Sequence, residues 1–281
     1  MKQRSNPLSW ITVDDAELSV DKFPDGSFRF TVDYQGIYSS KVGPEITIRL
    51  KSTLPEAIIA VYQVTEALVV SFPDSHLTLI VQTMPDQRAD REEVPGMSNP
   101  AAVSAILLGN AAVDKLVVYD LHSDVSRRIL QETCELSKIE LVINGPLDCF
   151  LEALNDDNID PDMRIQHVVA VDKGARHRAE TIAKHFGAQV IYADKKRVDG
   201  KVVGHVLDGT PDRPICAGDQ IWIVDDLCDG GATFISIAKL LRNCFTFGDL
   251  HLYVTHGLFS KGKEELFQHY TTILALFDYG A

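Results

Sequence analysis

The sequence predicts an α/β fold built on mostly parallel sheets, and three observations predict it. Short apolar, strand-like runs alternate with longer helix-like runs over most of the chain, the pattern of strands joined by crossover helices. Polar residues collect where the strand-like runs stop, which is where such folds hold ligands. Two of those ends look alike: "VVYDLHSD" (117–124) and "IVDDLCDG" (223–230) both run from apolar strand through Asp-Leu to a second acid and then into a helix. That likeness fits an internal duplication; shared strand-to-helix grammar also produces it.

Before residue 55 the pattern is irregular. There "DKFPDGSFRFTVDY" reads as a turn at Pro24-Asp25-Gly26 followed by an alternating strand, hence an N-terminal hairpin. The alternation proper begins with a strand at 77–84 and a helix at 101–113. It continues with strands at 115–122 and 138–145, separated by the helical "DVSRRILQETCEL" (124–136). A helix over 146–154 precedes the polar, Pro-containing "NDDNIDPDMR", which is where a boundary is expected: one domain over 1–155, a second over 156–281. The second half repeats the scheme. Strands are predicted at 166–172, 189–194, 220–226 and 251–256, with helices at 175–187 and 233–244. The polar "VDGKVVGHVLDG" (198–209) reads as a loop able to close over a substrate.

With 281 residues, 45% hydrophobic and 24% charged, the chain has the composition of a globular protein with one large or two small cores. A net charge of -13, with no stripe of Lys or Arg, argues against nucleic acid as partner. No apolar run is long enough for a bilayer, and "MKQRSNPLSW" has no apolar segment behind its basic residues, so no membrane role is expected. Five widely spaced cysteines without a CxxC pair suit a reducing, cytoplasmic location.

An anionic ligand must then be met locally. Asp225 and Asp226 end a strand, and Asp229-Gly230-Gly231-Ala232-Thr233 opens a helix. Small residues at a helix start leave N–H groups bare for a phosphate, while paired carboxylates suit sugar hydroxyls or a hydrated Mg²⁺. Together they describe a cup for a sugar phosphate. Asp229 as a plain N-cap, with the glycines as turn formers, is the alternative reading. The stretch Gly257 to Lys263 imitates a P-loop, but Glu264 stands where Ser or Thr must ligate Mg²⁺.

"VDDLCDGGATF" resembles the phosphoribosyl-diphosphate motif of type I phosphoribosyltransferases and of the ribose-phosphate diphosphokinase (PRPP synthetase) family. "FPDG" (23–26), "RADR" (88–91), "DLHSD" (120–124), "VAVDKGARHRAETIAKHFG" (169–187) and "DKKR" (194–197) are similar to the synthetases in the family's order. The resemblance implies an α/β fold of two type I phosphoribosyltransferase-like domains, each a mostly parallel sheet flanked by helices. The active site is expected between them. It implies that Asp225, Asp226, Asp229, Gly230, Gly231, Ala232 and Thr233 hold the ribose and its 5-phosphate. Phe23, Asp25, Arg88, Asp90, Arg91 and His122 would bind ATP, with His122 and Asp172 serving Mg²⁺. Lys195, Arg197 and His122 would be catalytic, and the Phe23–Asp25 hairpin implies a homo-oligomer. Taken alone, His122 also suits a satisfied strand-end polar residue, and Lys195-Lys196-Arg197 a solvated run.

The implied reaction moves the β,γ-diphosphate of ATP to the 1-hydroxyl of ribose 5-phosphate. Three departures from the family pattern stand out: Ala89 where Gln is common, Ser27 where an acid is usual, and Gly230 where Thr is usual. The last opens the phosphate end of the cup. The sequence also resembles a shortened subgroup of the family, known from phages, that accepts ADP-ribose for NAD synthesis, so ribose 5-phosphate and ADP-ribose both stand as acceptors. A phosphoribosyltransferase, which would not need "RADR" or "DKKR", and a non-catalytic synthetase-associated protein are the remaining readings.

Overall fold

A computed structural model describes residues 10–40, 45–91, 94–160, 163–198, 201–209 and 211–280, the side chains of 38–40, 197, 198 and 201–203 excepted. The chain divides into two compact units, Met1–Asn144 and Gly145–Ala281.

In the first unit β1 (Ile11–Val13), β2 (Ala16–Glu17) and the hairpin β3 (Ser19–Lys22) and β4 (Phe28–Thr31) lead into α1 (Tyr34–Ser40). Then follow β5 (Glu45–Leu50), α2 (Ala57–Ser71), β6 (His76–Val81), α3 (Pro100–Leu108), β7 (Lys115–Tyr119), α4 (Asp124–Ser137) and β8 (Glu140–Asn144). The sheet order is β2-β1-β5-β6-β7-β8. Strands β5 to β8 pair in parallel, while β1 runs antiparallel to β5. Ile46, Ile48 and Leu50 alternate into the core with the Leu77, Leu79 and Val81 set of β6. Periodicity misses α2, which is apolar nearly all round. Ile58, Val61, Val64 and Leu68 are buried, yet Ile59, Val69 and Val70 are exposed, and its β-branched residues mask the helical signal.

The second unit comprises α5 (Pro146–Asp156), β9 (His167–Ala170), α6 (Arg176–Phe186), β10 (Gln189–Val198), β11 (Lys201–Leu207), β12 (Ile221–Cys228), α7 (Ala232–Cys244), β13 (Leu250–Gly257) and β14 (Thr272–Asp278). The sheet order is β11-β10-β9-β12-β13-β14, parallel except for β11. Each unit is thus a mostly parallel sheet with helices, as predicted.

Sequence reasoning puts the junction at 155; the division falls after Asn144, ahead of α5. The reason is the apolar face of α5: Cys149, Phe150, Ala153 and Leu154 are buried, and the last three enter the second core. The Phe150 ring lies 5.3 Å from Trp222 and 4.7 Å from Tyr253, edge to face. The reading of 198–209 as a loop is also corrected. Residues Lys201–Leu207 pair with β10 as an antiparallel strand, in register Lys195 with His205, with a shift between Lys196 and Arg197. None of the described side chains of β11 is fully buried, and Val206 is exposed.

Replacing Phe150 by Ala is expected to cost about 3–5 kcal/mol of stability. Denaturant titration followed through Trp222 checks it, since Trp10, the other tryptophan, belongs to the first unit. An unchanged midpoint would remove α5 from the second core.

Candidate active site

In the second unit, β9 and β12 pair in parallel with Ala170 opposite Val224, so each strand delivers its carboxylates at the same sheet end. Asp172 follows β9; Asp225 and Asp226 lie within the last turn of β12. Beyond them Gly231, at a left-handed φ of 76°, is the N-cap of α7 and makes no side-chain capping bond. Asp229 is therefore not the N-cap, and Gly231 has no side chain with which to cap the first N–H groups of α7, at Ala232 and Thr233. A Cβ at Gly231 would meet the Leu266 side chain at 3.2 Å, a second reason for glycine there.

Asp172 is the hub of the cluster. Its Oδ1 accepts from the N–H groups of Gly174 (2.9 Å) and Ala175 (3.2 Å), and its Oδ2 accepts from Lys195 Nζ at 2.6 Å. Burial pushes its carboxyl up, but the bond and charge of Lys195 and the two N–H groups together hold it below the usual range. Asp225 goes the other way. Burial, and next the charge of Asp226, push its carboxyl well above the usual range despite Arg178, whose Nη1 lies 3.4 Å from its Oδ1; Asp172 adds to the rise. Arg178 is itself buried on α6. Asp194 accepts from the Lys195 backbone N–H at 2.8 Å and faces Lys173 Nζ at 3.7 Å.

The open phosphate end needs correction. A Cβ on Gly230 would stand 3.3 Å from Lys261 Cε and 3.4 Å from its Cδ, so the aliphatic stem of Lys261 borders that space. The turn carrying Lys261 is tied down by N–H groups of Leu258 and Phe259 donating to Cys228 O, and of Ser260 to Asp229 O. Lys261 forms no ion pair or hydrogen bond among the described residues.

In the first unit, Phe23 is half-exposed on the β3–β4 turn, 5.8 Å beneath the Arg29 guanidinium. Asp25 Oδ1 accepts from Ser27 Oγ (2.7 Å) and N–H (2.9 Å), and these bonds lower its pKa. Asp90 is buried, with the exposed Arg91 3.8 Å away, and its carbonyl accepts from Asn99 Nδ2. Arg88 lies on the same loop, after β6. His122 precedes Ser123, the N-cap of α4, whose Oγ accepts from Ser126 N–H at 3.4 Å. Two residues earlier, Asp120 is buried at a φ of 36°, backbone strain of the kind that gathers at functional strand ends.

The structure thus brings Asp172, Lys195, Asp225 and Asp226 together in one unit and places Phe23, Asp25, Arg88, Asp90, Arg91 and His122 in the other. Arg197 follows Lys195 on β10, but its side chain lies outside the described residues. Among the described residues no group of three or more His, Cys, Asp or Glu forms a metal cage. Sequence reasoning gave no role to Arg178, Asp194, His205 or Lys261, although Arg178 lies within "ARHRAE" and Asp194 opens "DKKR". It also missed Gln87, buried next to Arg88 with neither amide atom paired.

Because the folded state holds the Asp225 carboxyl above its unfolded value, this residue destabilises the fold as pH rises through and above the ordinary carboxylate range. Asp225→Asn is expected to raise the thermal midpoint at pH 7, with the gain fading as pH falls towards 4. A lower midpoint than wild type at pH 7 would show that the Arg178 contact outweighs the crowding.

The phosphoribosyl transferase domain family matches residues 148–256. Ribose-phosphate pyrophosphokinase of Thermococcus kodakarensis is 27% identical over 255 residues, covering 89% of this chain and 80% of its own. Chloroplastic ribose-phosphate pyrophosphokinase 3 of Arabidopsis thaliana is 27% identical over 257 residues, 88% of this chain and 56% of its own. The crystal structure of phosphoribosylpyrophosphate synthetase from Mycobacterium smegmatis shares the fold, with a TM-score of 0.63 at 20% identity over 90% of this chain and 76% of that one. No helix among the described residues is long and apolar enough to cross a membrane. With its parallel sheets, its "DDLCDGGAT" loop and relatives matched over most of its length, the chain is similar to the ribose-phosphate pyrophosphokinases, and its residues 148–256 match the phosphoribosyl transferase domain.

Proposed function

We propose that the protein transfers the β,γ-diphosphate of ATP to the 1-hydroxyl of a ribose 5-phosphate unit. The hydroxyl oxygen attacks the β-phosphorus and loses its proton, the bond from that phosphorus to the α,β-bridging oxygen breaks, and AMP leaves. The observation that carries this reading is Lys195 held 2.6 Å from Asp172, on a hairpin beside the loop that opens α7. A diphosphate in transit gains from such a cation because charge develops on it in the transition state. A transferase that consumes a finished diphosphate would also gain from a cation on the leaving group, and it is the resemblance of "RADR" and "DKKR" to the synthetases that separates the two readings.

The roles follow from the chemistry of the groups. The N–H groups at the start of α7, which a glycine N-cap leaves without its own side-chain cap, suit the 5-phosphate. Asp225 and Asp226 suit the ribose hydroxyls. Arg88, Asp90, Arg91, Phe23 and Asp25 are assigned to ATP, and the hairpin to a homo-oligomer, on the resemblance. Mg²⁺ is typically held by one or two protein groups plus substrate phosphates rather than by a protein cage, and Asp172 and His122 are the residues assigned to it. Bound there, it would neutralise phosphate charge. A cytoplasmic location suits the free cysteines.

The acceptor has two readings. Ribose 5-phosphate is the first, on the names of the relatives. ADP-ribose is favoured by one observation: position 230 has no hydroxyl to close around a phosphate monoester, and the neighbouring Lys261, without an ion pair among the described residues, is able to meet a second phosphate.

Incubation with ATP, Mg²⁺ and either acceptor, read by mass spectrometry, tests the reaction. No diphosphorylated product from either would overturn it. Lys195→Ala is expected to lower kcat by a factor on the order of 10²–10⁴ with ATP affinity little changed, because the cation acts on the transition state. Turnover above half of wild type would remove Lys195 from the chemistry.

Gly230→Thr restores a hydroxyl and displaces the Lys261 stem. It is expected to shift the ratio of kcat/KM values towards ribose 5-phosphate by on the order of tenfold, the worth of one charge-assisted hydrogen bond. An unchanged ratio would mean that position 230 does not choose the acceptor.

A further inference from the structure

We propose that His205 is a positioning residue: by bonding Ser236 it pins the return strand of the Lys195 hairpin to α7, and so fixes Lys195, which stands directly opposite it across the ladder. This rests on the reading of Lys195 given above.

The geometry begins with the register. Lys195 and His205 are paired across β10 and β11, and directly opposed residues of an antiparallel pair project to the same face. His205 Nδ1 lies 3.0 Å from Ser236 Oγ, on the second turn of α7, and Lys195 Nζ meets Asp172. Both side chains therefore face the helix and the carboxylates. Leu207, two residues nearer the base of the hairpin and on the same face, packs against the core. His205 is the next anchor outward. Gly204, Val206 and Leu207 carry no polar side-chain atoms, so His205 is the one described residue of β11 able to make a side-chain hydrogen bond to α7.

An edge strand that buries little opens readily unless something ties it down. Val206 is exposed, and the ladder is irregular immediately beyond Lys196. The tie at His205 is thus the outermost side-chain anchor among the described residues of β11, and it lies directly opposite Lys195. The ring is suited to the task in its neutral form. Burial, and next the Lys195 ammonium, hold its pKa below the ordinary value, while Asp172 and Asp194 act in the opposite sense. His205 Nε2 is buried without a partner, so a proton there would be stranded. The consistent tautomer has Nδ1–H donating to Ser236 Oγ and Nε2 bare.

The full-length protein with His205→Leu, His205→Asn, Ser236→Ala and the Leu/Ala double change provides the test. Two readouts apply: steady-state diphosphate transfer, and amide hydrogen exchange of peptides spanning 193–207. His205→Leu is expected to lower kcat ten- to hundredfold, the scale for an ångström of misplacement, with both KM values within about twofold of wild type. Exchange in the hairpin should rise. His205→Asn, which keeps a donor near the Nδ1 position, should recover kcat to within about threefold. Ser236→Ala should match His205→Leu, and the double change should be no worse than either.

The proposal is overturned if His205→Leu leaves kcat and hairpin exchange unchanged, if its loss falls on KM alone, or if the two single losses multiply. It is also overturned if Ser236→Ala has no effect. Wild-type protein that transfers no diphosphate would sink the proposed reaction, and the exchange of the variants would still decide whether His205 ties the hairpin.

Discussion

The site in the second unit depends on a reversal in its sheet. Among the parallel strands the chain steps from β9 outward to β10, then returns to place β12 on the other flank of β9. Crossovers leaving β9 and β12 therefore go to opposite sides and leave a crevice beyond their C-terminal ends, the usual ligand position in such sheets. Asp172 borders that crevice from one strand, and Asp225 and Asp226 from the other. In the first unit β5 to β8 follow one another in a single direction, with no such reversal among the parallel strands. The similar "DLHSD" and "DDLCD" motifs thus end strands of unlike connectivity. The loops after β6 and β7 carry Arg88 and His122 on neighbouring strand ends.

Crowding three carboxylates at one sheet end has a cost, and the fold distributes it unequally. Asp172 is met by Lys195 and two backbone N–H groups and stays ionised; Asp225 accepts from the Asp226 N–H at 2.9 Å and meets Arg178 at 3.4 Å, yet burial and the charge of Asp226 push it towards its neutral form. Neutral and charged carboxyls side by side offer both donors and acceptors, which is what a vicinal diol requires. Burying Arg178 on α6 is the accompanying necessity. An isolated guanidinium would not be tolerated there, so α6 and β12 constrain each other.

Much of this was legible in the sequence because it rests on local grammar. Alternation gave the parallel sheets, Pro24-Asp25-Gly26 gave the hairpin, and the glycines before Ala232 gave a helix start with a glycine N-cap. What stayed hidden depends on packing. The junction was misplaced because "NDDNIDPDMR" looks like a linker, whereas the apolar face of α5 commits it to the second core. Helix α2 escaped because its apolar residues surround it. Strand β11 looked like a loop because the stretch around it is polar, and none of its described side chains is fully buried. Lys261 and Gly230 are 31 positions apart, and no spacing rule joins them.

One strand serves both the frame and the chemistry. Residues Gln189–Tyr192 of β10 pair with β9 inside the parallel sheet, and Ala193–Val198 continue past its end to pair with β11. Continuity of the strand carries the rigidity of the core outward to Lys195, so the cation is offered by a stiff arm rather than by a free loop. The register shifts by one residue between Lys196 and Arg197 and the pairing then continues to Val198 and Lys201. Lys195 is thus the last cation of "DKKR" held on regular pairing with its side chain opposite an anchored partner.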